Sequence, residues 1–121
     1  LSSSSAASDV YKRQTLKWLN RISNPEQNLV TKQQGYFNYL HGIILSQTNL
    51  TKAEKYFKKA LELGMSMDTD LAMANLSLAG IYMQKRRKRE ATLLINKAKK
   101  LDSQGMLTGQ IKEMKQQMKR I

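Results

Sequence analysis

Residues 51–63, Thr-Lys-Ala-Glu-Lys-Tyr-Phe-Lys-Lys-Ala-Leu-Glu-Leu, leave this chain little choice of conformation. Ala53, Tyr56, Phe57, Ala60 and Leu61 recur at spacings of three, four and seven, which gathers them on one side of a helix. Lys52, Glu54, Lys55, Lys58 and Glu62 fall on the other side, with Glu54 and Lys58 at the favourable i,i+4 separation. Thr51 followed three residues later by Glu54 predicts a capping box at the start, and Gly64 predicts the stop. One helix of this length is marginal in water, so its apolar stripe must find neighbours.

Those neighbours are helices as well. Valine occurs only twice, so strands have little to be built from, and the single proline is Pro25. At 121 residues there is room for one small domain. Thr15 to Ile22 carries a short helical pattern in Leu16, Trp18, Leu19 and Ile22, ended by Ser23-Asn24-Pro25. Helices are then predicted over about 31–45, burying Tyr36 or Phe37 with Leu40 and Ile44, and over 70–84, burying Leu71, Ala74, Leu78, Ala79 and Tyr82. Two more cover about 90–101 and 106–120, the last with Leu107, Ile111, Met114 and Met118 inward. Residues 1–14 read differently: serine and alanine without periodicity, no initiating methionine, and the look of translated adaptor sequence. Native sequence is expected to begin near Thr15, so that an anchor or further helices upstream would not be visible.

Two helix pairs overlay. The second helix of each carries Ala53, Phe57 and Ala60, then Ala91, Ile95 and Ala98, 38 residues on. The first helix carries Phe37, Leu40, His41 and Ile44, then Asn75, Leu78, Ala79 and Tyr82. With these residues the chain resembles a small bacterial member of the tetratricopeptide repeat family, whose pattern is W-x2-L-G-x2-Y followed by A-x3-F-x2-A. Asn75 replaces the usual aromatic, His41 and Ala79 replace the glycine, no proline closes either unit, and the connector near 64–69 is about four residues long for the family.

The resemblance implies an all-α fold of antiparallel helix hairpins stacked as a short right-handed solenoid. Residues 15–33 would be the remnant of a preceding unit, 34–67 and 68–101 two repeats, and 102–121 a capping helix. Family members hold peptides or partner helices on the concave face. Carried over by position, that face comprises Asn38, Gly42 and Leu45, with Leu76, Gly80, Met83 and Gln84. These residues lack the lysine and arginine clamp with which some family members grip a C-terminal carboxylate. Leu45, Leu76 and Met83 could equally pack against flanking helices.

Charge points to a second class of partner. The net charge is +12, and from Lys85 onward twelve basic residues face Glu90, Asp102 and Glu113. Lys85, Arg86, Arg87, Lys88 and Arg89 form a basic corner able to hold the phosphates of anionic lipid or RNA, or merely a solvated turn. No aromatic interrupts the run to stack a base. Cysteine is absent, which suits a reducing cytoplasmic setting, and no apolar run approaches the eighteen or so residues of a membrane span. His41 is the only histidine and is expected at a helix contact. The seven methionines are expected to be filler in the core. No paired acids, activated hydroxyl or glycine-rich loop after a strand is present. The reading is therefore a non-catalytic protein without metal or cofactor and without a small-molecule substrate.

Overall fold

The computed structural model describes residues 25–121, and among these it contains five α-helices and no strand. They are α1 (Pro25–Leu45), α2 (Leu50–Leu63), α3 (Asp68–Gln84), α4 (Lys88–Leu101) and α5 (Thr108–Met118). The leader 1–14 and the expected helix at 15–22, with Trp18, lie outside the described residues.

Short polar turns join α1 to α2 and α3 to α4, and each pair folds back as a hairpin. The hairpins meet through α2 and α3, while α5 lies against both α4 and α3. The alanine pattern explains the close pairing. Ala53, Ala60, Ala91 and Ala98 are fully buried, and between them Phe57 and Ile95 are the largest side chains wholly removed from water. Small residues let the helix axes approach, and the one bulky residue fills the remaining gap at core density. At about 25 cal/mol per Å² of apolar surface, such burial is the main term holding the hairpins together.

α3 is the central helix. Ala72, Ala74, Leu76, Leu78, Ala79, Ile81 and Tyr82 are all buried, spread around more than one face, as expected for a helix covered on several sides. Asn75 is buried among them, and its Nδ2 donates to the Leu71 carbonyl at 2.8 Å, so the polar group is satisfied. Leu107, Ile111 and Met118 of the last segment turn inward as its spacing predicted.

Several local expectations are corrected. The cap of α2 is Asn49, whose side-chain oxygen accepts from the Lys52 amide at 3.1 Å; Thr51 is already inside the helix. Glu54 is thereby free to turn sideways. α1 starts at Pro25, where proline suits the first helical position, and runs unbroken through the boundary placed near residue 33.

α1 is also rotated from the predicted face. Gly35, Tyr39 and Gly42 point at α2, whereas Phe37 and Ile44 are exposed. Glycine is the reason. A β-carbon on Gly42 would stand 2.6 Å from the Phe57 ring, and one on Gly35 would stand 1.9 Å from the Gly64 carbonyl oxygen. The bare backbone admits α2 more closely than leucine or isoleucine would, and Tyr39 tilts against Phe57 with ring centroids 6.1 Å apart.

Candidate interaction surfaces

The seam between hairpins is polar and specific. Glu54 of α2 accepts from Lys85, at the end of α3, on Oε1 and from Lys58 at 3.0 Å on Oε2, and the Tyr82 hydroxyl donates to that same Oε2 at 3.4 Å. The hydrogen bond from Lys85, opposed by burial and aided by Lys58, holds the Glu54 carboxyl at about 2. Its own hydrogen bond to Glu54, and then the Tyr82 hydroxyl, raise Lys58 above the ordinary lysine value. Glu54 therefore closes a structural joint.

The seven residues assigned to a concave face do not come together. Gly42 is buried beneath Phe57, and Leu76 is only 5% exposed, so neither is available to a ligand. Both are corrected to packing positions, the first by the close crossing of α1 and α2, the second by the central place of α3. Leu45 is half-buried against the core. Asn38 spends its amide on the Gln34 carbonyl at 2.7 Å and borders a shallow hollow with Lys52, Lys55, Tyr56 and Lys59. Gly80, Met83 and Gln84 do share a groove of about 340 Å³, closed on its far side by Met114, Gln117 and Ile121 around α5.

The larger apolar surface lies elsewhere. Leu29, Tyr36, Phe37, Ile43 and Ile44 are exposed along α1, with Phe37 at 59% and Ile44 at 69%. At 100° per residue they spread over an arc of about 120°, from Ile43 and Tyr36 flanking the side of Gly35, Tyr39 and Gly42 round to Ile44 and Phe37 opposite it, with Leu40 inside the arc. Beside this stripe, Tyr36, Phe37, Met65 and Asp70 border a hollow of about 380 Å³. Burial and the nearby Asp70 carboxylate push the Tyr39 hydroxyl upward. The sequence signal for this stripe was present: α1 carries large apolar residues on both faces, more than one hairpin partner can cover.

The basic corner is exposed throughout. Lys85 is committed to Glu54, and Arg87 reaches Glu90 at 3.7 Å while its guanidinium lies 5.7 Å from the Tyr82 ring centroid. Arg86 takes a positive φ of 62° to turn the chain. Lys88 and Arg89 occupy the first turn of α4, where the helix dipole disfavours them, and only Glu90 offsets that field there.

His41, though exposed, makes a contact between helices: it stacks on Tyr56 of α2 with ring centroids 5.2 Å apart. Met65 and Met118 fill the core, whereas Met67 and Met106 are exposed and do not act as filler. Among the described residues no group of three His, Cys, Asp or Glu side chains could hold a metal ion, and no helix is long and apolar enough to cross a membrane. None of the protein-family models, curated proteins or solved structures compared with this chain matches it.

Proposed function

We propose that this chain is a non-catalytic scaffold of the tetratricopeptide type, a right-handed stack closed by α5, that holds a peptide or helix of a partner protein. The observation that carries the reading is the exposed row Leu29, Tyr36, Phe37, Ile43 and Ile44 on α1. Contiguous exposed apolar surface of this kind marks interaction sites on folded proteins. The partner would lie along α1, in place of the strip Leu45, Leu76 and Met83, with helix anchors entering at i, i+3/i+4 and i+7. Support for the family comes from the repeated Ala-x3-Phe/Ile-x2-Ala pattern and its buried alanines. A cytoplasmic setting suits the cysteine-free sequence.

The test places a photo-crosslinking residue at the exposed position 33, within the stripe, and follows capture in cells. One defined protein should be captured, the capture should persist in high salt, and Phe37→Asp with Ile44→Asp should abolish it. Capture that survives the double substitution removes the proposal.

A second reading rests on Lys88 and Arg89, which no ion pair among the described residues neutralises. Here the basic corner docks on anionic lipid or RNA. Such binding falls steeply with salt, whereas capture by the α1 stripe does not.

A further inference from the structure

A hollow of about 530 Å³ lies between the end of α4 and α5. Its rim carries Lys99 from α4 and Lys112, Lys115 and Lys119 from α5, and Ile111 lies in its lining. None of the ion pairs among the described residues involves any of these four lysines. The one acid in the lining, Asp102, is otherwise engaged: its two oxygens accept from the Met106 and Leu107 amides at 2.9 and 2.8 Å and fix the turn into α5. Glu113 lies about 100° round the helix from Lys112, outside the lining. Lysines three, four and seven residues apart on one helix face repel one another and weaken α5 locally. This short helix keeps that arrangement around a hollow whose one apolar side chain, Ile111, is already buried.

We infer that this hollow is a docking site for an acidic amphipathic helix of a partner protein, with carboxylates one turn apart along its length. The inference stands apart from the α1 stripe and does not depend on it. The shape decides the class of ligand. Lys112 to Lys119 extends about 10 Å along the axis at 1.5 Å per residue, so the charges form a row, which one compact anion cannot span. Glutamates at i, i+3 or i+4, and i+7 match that row, while the apolar side of the same helix covers the lysine stems. A nucleic acid strand would want aromatic platforms, and the lining contains none.

The probe is a synthetic helical peptide with glutamates at those spacings over an apolar face, and its twin with glutamine at each glutamate. Titrated into the full chain at low salt, the glutamate peptide should bind at least about tenfold more tightly than the twin, the scale of electrostatic pairing at a partly desolvated surface. The triple variant Lys112→Gln, Lys115→Gln, Lys119→Gln should lose that advantage, while Lys88→Gln with Arg89→Gln should keep it. Since the triple variant could alter α5, Lys112→Glu with Lys119→Glu is paired with a lysine-bearing peptide, and binding should return. Equal affinity for both peptides overturns the inference, as does equal loss in the corner variant, which would mean diffuse charge attraction. Tighter, α5-lysine-dependent binding of single-stranded RNA or anionic vesicles than of the glutamate peptide also overturns it, in favour of phosphate recognition.

Discussion

Gly42 lies directly under the ring of Phe57, with room for a hydrogen atom but none for a methyl group. Gly42→Ala should therefore lower stability by about 1–2 kcal/mol, because overpacking a tight core outweighs the helix propensity that alanine gains. Gly35→Ala should cost more, since the obstacle there is the Gly64 carbonyl, which is backbone and cannot rotate aside. Thermal denaturation of the two variants checks both the sign and the order.

Truncating the two central side chains should leave cavities. Phe57→Ala should cost about 3–5 kcal/mol and Ile95→Ala about 2–5 kcal/mol, each through lost transfer energy and unfilled volume. Urea titration reads the difference. Losses below about 1 kcal/mol would contradict their place between buried alanines.

Glu54 carries an acid dependence of known sign. Its carboxyl titrates at about 2 when folded against an ordinary 4.5, so the folded state favours its charged form. The stabilisation is fully present above pH 4.5 and is lost as the pH falls from there through 2. Glu54→Gln should lower stability at neutral pH by roughly 1 kcal/mol, a modest figure because Lys58 and Lys85 are partly exposed and screened. That deficit should vanish near pH 2. Denaturant midpoints of the two proteins across pH 2–7 check it.

Arg86 holds a positive φ at the α3–α4 turn. Arg86→Gly should raise stability by up to about 1 kcal/mol, since glycine occupies that region without steric cost. A calorimetric melt tests this, and a fall in midpoint would mean that the arginine makes a stabilising contact.

Phe37→Asp with Ile44→Asp should leave the melting temperature within a few degrees of the parent, because both side chains already face water. Leu76→Asp should unfold the chain, since it buries an unpaired carboxylate in the central helix. Circular dichroism separates the two outcomes.

How much of this was legible depended on whether a helix has one apolar face or two. α2 and α4 place charge opposite alanine, so their inward residues followed from spacing alone. α1 offers 37, 40, 44 and 35, 39, 42 as equally helical sets. Counting bulk selected the first, and the close approach permitted by glycine selected the second. Asn49 and Thr51 are both good caps, and only the geometry of the turn separates them. The link from Glu54 to Lys85 spans 31 residues and no local pattern carries it. Leu76 and Gly42 were misplaced for the same reason: position in a repeat fixes a register, not the neighbours that cover it. The lysine hollow needed two helices brought side by side before its charges formed a row.

The helices lean chiefly on their neighbours in sequence, with lesser contacts of α1 with α3 and of α3 with α5, and among the described residues α1 and α5 never touch. Among the described residues nothing ties α1 to α5, and both reach the middle of the row through α3. Fraying at either margin should leave the middle helix, α3, standing until late, and amide exchange would then grade outward from Ala79 instead of vanishing everywhere at once.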